Sequence, residues 1–97
     1  METKSYTVSY KAEYVGPPKR YLYLTKELPI PNDAPPEMVS GWVFVVDEED
    51  KNGEIQPLWD TWEETYREII RYPEVYAPKD ITWVNDDTGE PVDIYNL

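Results

Sequence analysis

The chain has 97 residues, enough for one domain with a modest core, and its 40% hydrophobic and 14% aromatic content is too high for a disordered protein. It contains no cysteine, which excludes disulfides and thiolate zinc sites, and no histidine, which removes the commonest general base and transition-metal ligand. The start of the sequence lacks a signal-peptide pattern and no apolar run is long enough to span a membrane, so we expect a cytoplasmic protein.

Charge is distributed unevenly along the chain. Residues 1–46 carry five acids and five bases, whereas residues 47–97 carry fifteen acids and four bases, so the net charge of −11 lies in the second half. Self-repulsion of this size lowers stability, which suggests a functional reason, although solubility alone is the simpler explanation. The single glutamine, two methionines and ten prolines also hint at a thermostable protein.

The first half predicts a β-hairpin over residues 1–27, followed by a rigid proline-rich connector over 28–41. KSYTVSYKAEYV alternates apolar and polar residues, GPPK is a turn, and RYLYLTK is a second strand. Within the connector, Asn32 or Asp33 is expected to cap a short helical turn.

The second half, residues 42–97, predicts a strand, an acidic loop, a helix and a C-terminal hairpin. WVFVVD (42–47) is typical of a buried strand. Asp60 and Glu63 have capping-box spacing, and apolar residues follow at helical intervals, which predicts a helix over about 60–72. ITWV (81–84) and VDIYNL (92–97) predict the last strands.

Together these elements indicate one small α+β domain. We expect a twisted antiparallel sheet of about four or five strands, with one main helix packed on one face. Trp42, Trp62 and Trp83 are expected to fill the core beneath that helix.

The stretch DEEDKNGE (47–54) resembles part of a calcium-binding loop. From Glu48 the acids alternate, and Gly53 and Ile55 occupy the sixth and eighth positions of an EF-hand pattern. Trp59 stands where the closing bidentate glutamate is required, so a hairpin loop is the preferred interpretation over a weak calcium site. We predict neither a metal site nor a cofactor.

Other chemistry has weaker support in the sequence. Without histidine, cysteine or a glycine-rich phosphate loop, the chain is predicted not to be an enzyme. Tyr6, Tyr10, Tyr14, Tyr21 and Tyr23 form a conceivable base-stacking platform in the first hairpin, but the acidic second half repels phosphate. Direct nucleic-acid binding is therefore not expected.

The favoured interpretation is that the protein imitates nucleic acid, with a rigid acidic surface that occupies the basic groove of a nucleic-acid-binding protein. This depends on whether the acids gather on one side of the fold. The carboxylates expected to form the surface are Asp47, Glu48, Glu49, Asp50, Glu54, Glu63, Glu64, Glu68, Asp86, Asp87 and Glu90. Trp59, Tyr72 and Tyr76 are the aromatic residues expected to be exposed as partner anchors.

In size and composition the chain is similar to small acidic proteins of phages and archaeal viruses, many of which inhibit a host nucleic-acid-handling protein. That analogy involves no shared motif. The sequence therefore predicts a non-enzymatic interaction protein that inhibits a basic host protein as a nucleic-acid mimic. The alternative is a structural or assembly protein, in a virion or a homo-oligomer such as a homodimer, which uses its aromatics and a sheet edge.

Overall fold

Alternating side chains build a six-stranded antiparallel sheet in the computed structural model, which describes residues 6–27 and 41–97. The strand order across the sheet is β4-β3-β2-β1-β5-β6. The strands are β1 (Tyr6–Tyr14), β2 (Arg20–Glu27), β3 (Trp42–Glu49), β4 (Ile55–Glu63), β5 (Trp83–Asn85) and β6 (Pro91–Val92).

The predicted N-terminal hairpin and the central strand are confirmed. β1 and β2 pair from Tyr14↔Arg20 to Tyr6↔Glu27. Gly16 adopts the positive φ of 72° that the connecting turn requires. β3 pairs with β2 and continues to Glu49, two residues beyond the predicted strand. The predicted proline-rich connector and its helical turn lie outside the described residues, apart from Gly41.

The predicted helix over residues 60–72 is confirmed only in part, because a one-turn helix lies within that range and the range begins in a strand. Residues 55–63 form β4, which pairs with β3 from Glu49↔Ile55 to Trp42↔Glu63, so the sheet has more strands than expected. Backbone pairing with β3 satisfies those amides of β4 that point towards β3. Two one-turn helices follow instead, α1 (Tyr66–Ile69) and α2 (Pro73–Tyr76).

The helix start lies five residues later than the predicted cap. Thr65 Oγ1 accepts a hydrogen bond from the Glu68 amide (3.3 Å) and donates one to the Glu68 carboxylate (2.8 Å). The predicted capping box of Asp60 and Glu63 is wrong, because both residues lie in β4; Thr65 and Glu68, which have the same three-residue spacing, cap the helix instead.

The C-terminal hairpin is shorter than predicted. β6 has only two residues, and a 3₁₀ helix, Ile94–Asn96, follows it. Asp93 caps the start of this helix, because its Oδ1 accepts a hydrogen bond from the Tyr95 amide at 3.1 Å. In the turn before β6, Asn85 Oδ1 accepts from the amides of Asp87 and Thr88. Among the described residues, no helix is long and apolar enough to cross a membrane.

The core lies between one face of the sheet and the chain that follows β4. Its fully buried sheet residues include Leu22, Leu24, Phe44 and Val46, and Ile69 and Ile94 close it from the other side. The ring of Tyr66 meets that of Trp42 edge-on, with centroids 4.5 Å apart, and its hydroxyl donates to the Ile94 carbonyl at 2.6 Å. These contacts fasten α1 and the 3₁₀ helix to the sheet.

The opposite face of the sheet carries a mixture of polar and apolar side chains. Ser9 and Thr25 pair across β1 and β2 with hydroxyl oxygens 3.2 Å apart. Trp62 lies on this face because it pairs with Val43, which alternates with the buried Phe44. The prediction that Trp62 fills the core beneath the helix is therefore wrong, whereas Trp83 is buried as expected and Trp42 packs against the core.

Gly41 stands directly against the indole of Trp62, so a methyl group added there would overlap the ring. We predict that Gly41→Ala lowers the free energy of unfolding by about 1–3 kcal/mol through overpacking. In a Trp62→Leu background the same change is expected to cost less than half as much. Urea unfolding of the four proteins in a double-mutant cycle measures this, and strictly additive losses would contradict the contact.

The Tyr66 phenol makes stability fall at alkaline pH. Burial raises its pKa above the ordinary value of 10.0, and nearby Tyr10, Tyr95 and Asp93 add to the rise. Because the folded pKa exceeds the unfolded one, the contribution to stability is complete below pH 10.0 and is lost as pH rises further.

We therefore predict that Tyr66→Phe costs about 1 kcal/mol at pH 8, from the lost hydrogen bond, but loses less stability than the wild type between pH 8 and pH 11. Burial also raises the pKa of Tyr23 and Tyr95, so some alkaline loss remains in the variant. Denaturant unfolding at both pH values measures the difference. Parallel losses in the two proteins would show that Tyr66 does not titrate with unfolding.

Candidate functional site: an aromatic cluster beside β4

Three aromatic residues predicted as partner anchors meet in one place. Trp59 lies on β4, Tyr72 directly precedes α2, and Tyr76 ends that helix. The Trp59 ring centroid is 5.2 Å from that of Tyr72 and 5.5 Å from that of Tyr76, where the two planes are inclined by only 25°. Residues separated by up to seventeen positions in sequence thus form a single surface.

Phe44 forms the floor of this cluster. It is completely buried in β3, and its ring centroid is 6.3 Å from Trp59 and 6.0 Å from Tyr76. Trp59 keeps 36% of its surface exposed, while both tyrosines are half-buried. We define the aromatic cluster as Phe44, Trp59, Tyr72 and Tyr76: a rigid base with an accessible indole on top.

Arg20 holds one side of the aromatic cluster in position. Its guanidinium donates to the Tyr76 carbonyl at 2.7 Å and to Glu48 Oε2 at 3.1 Å, and it lies 5.8 Å from the Tyr76 ring centroid. The Arg20 and Glu48 side chains are both mostly shielded, so this pair ties the start of β2 to α2 more firmly than a surface ion pair does.

The outer edge of β4 carries acids and apolar side chains without compensating bases. Residues 52–66 contain Glu54, Asp60, Glu63 and Glu64 but neither lysine nor arginine. Glu63 accepts a hydrogen bond from the Tyr72 hydroxyl at 3.2 Å, which places a carboxylate at the rim of the aromatic cluster. Leu58 (40% exposed) and Ile55 (48% exposed) extend the apolar surface along the strand.

The eleven predicted partner-binding carboxylates separate into three groups. Two groups lie at the two ends of the β4 edge, with Asp60 between them, and the third lies in the β5–β6 turn on the far side of the sheet. The first group is Asp47, Glu48, Glu49, Asp50 and Glu54, the second is Glu63, Glu64 and Glu68, and the third is Asp86, Asp87 and Glu90.

The third group is remote from the other two. β5 lies three strands from β3. The Asp86 amide donates to the Ser9 carbonyl, and Ser9 lies four residues along β1 from Glu13, the residue level with Asp47 across β2. Strand spacing and rise put Asp47 and Asp86 about 20 Å apart, diagonally across the sheet. Asp86 is also paired with Lys11 at 3.0 Å, which raises the pKa of that lysine.

The loop between β3 and β4 has the geometry of a hairpin connection. Asp50 Oδ1 accepts from the amides of Asn52 (2.8 Å) and Glu54 (3.0 Å), and Gly53 takes a φ of 82°. In the part of the chain that the structure describes, no three acidic side chains are arranged to hold a metal ion. The hairpin interpretation of DEEDKNGE is confirmed.

The tyrosines of the first hairpin lie on two different faces. Tyr10 and Tyr14 pack against the core, whereas Tyr21 and Tyr23 alternate with the buried Leu22 and so lie on the opposite face. The described tyrosines therefore do not form one stacking platform. A groove of about 780 Å³ beside β1 contains Tyr21 and Tyr23, and the paired charges of Lys11 and Asp86 line it.

Sequence reasoning missed several residues of this site. Phe44 was expected only as part of a core strand and Asp60 only as a helix cap, Leu58 was not assigned to any surface, and Arg20 was not assigned to this one. Pro57 and the unpaired Leu58, which forms a bulge between Asp47↔Pro57 and Val46↔Trp59, interrupt the alternation that identifies a strand. The arginine at the start of β2 gave no signal, because its partners lie 28 and 56 positions away.

Comparisons with protein-family models, with curated proteins and with solved structures found no match to this chain. The function must therefore be argued from the geometry and charge of its own surface.

The clamp formed by Arg20 gives a direct test of how the aromatic cluster is held. We predict that Arg20→Met lowers the free energy of unfolding by about 2 kcal/mol, because it leaves the Tyr76 carbonyl and Glu48 without their charged donor. Lys11→Met, which removes the same charge from a more exposed ion pair, is expected to cost clearly less than Arg20→Met. Urea unfolding compares the two, and equal losses would contradict the clamp.

Proposed function

We propose that the protein is a non-enzymatic interaction module that binds a basic surface of a nucleic-acid-binding protein in the cytoplasm and thereby inhibits it. The observation that carries this proposal is the packing of Tyr72 and Tyr76 against Trp59, above Phe44 and beside an edge strand flanked by carboxylates. A partly exposed tryptophan on a rigid aromatic base, with a carboxylate at its rim, has the composition of a binding hot spot.

The charge of the β4 edge supports a basic partner. Glu54, Asp60, Glu63 and Glu64 lie along or next to β4, and Lys51 and Arg67 are the nearest bases in sequence on either side. A net charge of −11 attracts a basic protein over long distances and speeds encounter at low salt. Carboxylates spaced along a rigid strand then occupy the arginines and lysines that otherwise hold phosphates, which is how inhibition would arise.

The positions of the carboxylates limit which of them we propose as direct contacts. The first two groups of carboxylates share the β4 edge with the aromatic cluster, whereas Asp86, Asp87 and Glu90 lie across the sheet. We therefore assign the β5–β6 turn to solubility and long-range attraction, and direct contact to the β4 side.

The exposed edge of β4 also supports a second candidate, an assembly protein that associates with copies of itself. Of the strands that the structure describes, only β3 pairs with β4. Self-pairing would bring two acidic edges together without a base between them, which disfavours it. Sedimentation at micromolar concentration distinguishes the candidates, since the first predicts a monomer and the second predicts an oligomer.

We predict that isosteric removal of two charges at β4 weakens partner binding. The Asp60→Asn/Glu63→Gln variant keeps side-chain shape and is expected to lower affinity about tenfold, and Trp59→Ala at least as much. The matched control Asp80→Asn/Glu90→Gln removes the same charge from the other side of the sheet and is expected to change affinity by less than about threefold.

Capture of partners from a lysate of the native cell, at low and high salt, measures these effects. The captured proteins are expected to be basic and nucleic-acid-binding, to be released by high salt, and to be displaced by added duplex DNA or RNA. Capture that is indifferent to salt, or that is equally strong with Trp59→Ala, would contradict the proposal.

A further inference from the structure

The outer side of β4 has the features of a strand that accepts another strand. Its nine residues lie at the edge of the sheet; residues 55–60 are exposed and residues 61–63 are half-buried. An edge strand presents backbone amides and carbonyls on the side away from its neighbour, and these template the pairing of a further strand. Peptides bind other proteins in this way, with backbone bonds providing affinity and alternate side chains providing specificity.

The two halves of β4 differ in how well they are protected against such pairing. The first half contains Pro57, which has no amide hydrogen, and the bulged Leu58, and both features obstruct an incoming strand. The second half, Trp59–Glu63, has regular register with β3 and contains neither proline nor glycine. Lysine, a common protective residue of exposed edges, is absent from the whole strand.

The charged side chains of this second half determine which kind of strand can pair with it. Asp60 faces one side of the sheet, and Glu63 and the exposed Trp59 face the other, so an added strand would meet acid on both faces. Directly opposed charges of opposite sign stabilise a strand pair and like charges destabilise it. A second copy of this chain brings acids to acids, whereas a strand with lysine or arginine brings complementary charge.

We infer that an extended, lysine- or arginine-containing segment of the partner adds to the sheet as a strand alongside Trp59–Glu63, antiparallel or parallel to β4. This rests on the proposed function and specifies how the basic partner is held. The aromatic cluster then packs against an apolar side chain of the added strand, while Asp60 and Glu63 pair with its basic ones. The partner is therefore recognised through a linear segment.

A synthetic decapeptide in which lysine alternates with valine and threonine provides the probe. In ¹H–¹⁵N correlation spectra at low salt, it is expected to shift the amides of residues 59–63 and to leave those of residues 86–93 unchanged. The same peptide, N-methylated on its central six amides, keeps its charge but cannot pair as a strand. We expect it to bind at least about tenfold more weakly.

Charge reversal at the edge supplies the matched protein variants. Asp60→Lys and Glu90→Lys alter the net charge equally, but only the first places a lysine beside the added strand. Asp60→Lys is expected to abolish the shifts at residues 59–63, whereas Glu90→Lys retains them. Far-ultraviolet circular dichroism confirms that each variant keeps its sheet.

The outcomes separate this inference from the proposed function. If both peptides bind equally and both require Trp59 and Asp60, the basic partner stands and strand addition is overturned. If neither peptide binds while a captured basic protein still requires Trp59, the linear segment is likewise overturned. If the free protein sediments as a dimer that Asp60→Lys dissociates, the occupant is a second copy and the inference fails.

Discussion

The contact between Phe44 and the rings of Trp59 and Tyr76 joins three parts of the molecule that are far apart in sequence. Phe44 belongs to the central part of the sheet, Trp59 to its edge strand, and Tyr76 to the short helix that covers the core. Because α1 and α2 have only one turn each, their own hydrogen bonds contribute little to stability. Packing of these rings, together with the Arg20 clamp, holds α2 on the sheet and an indole at its surface, while the contacts of Tyr66 hold α1 and the 3₁₀ helix.

The same packing links the fold to the function we propose. A binding anchor is effective when its side chain is already ordered before the partner arrives, since less conformational entropy is then lost on binding. Trp59 meets this condition because Tyr72 and Tyr76 fix its ring on one side, while its remaining surface is open beside β4. In the complex that we propose, the carboxylates would steer and select the partner, and the apolar anchor would slow its dissociation.

The first half of the chain was predictable because its strands alternate or are apolar without interruption, and both patterns depend only on near neighbours. The region around β4 was not, since Trp59, Trp62 and Tyr66 recur at three- and four-residue intervals and so imitate a helix. Pairing with β3 makes this segment a strand and not a helix. That pairing is a long-range contact, which the spacing of apolar residues does not reveal. Trp59, Tyr72 and Tyr76 were each predicted to be exposed anchors. Only the fold shows that they pack together above Phe44.

We propose that the β4 edge, and not the acidic charge as a whole, is the surface that meets a partner. Hydrogen–deuterium exchange of the protein with and without its captured basic partner distinguishes the two. Binding at the edge is expected to slow exchange of the amides in Trp59–Glu63 and to leave the β5–β6 turn, residues 86–90, unchanged. Protection confined to that turn, with exchange along β4 unaltered, would contradict it.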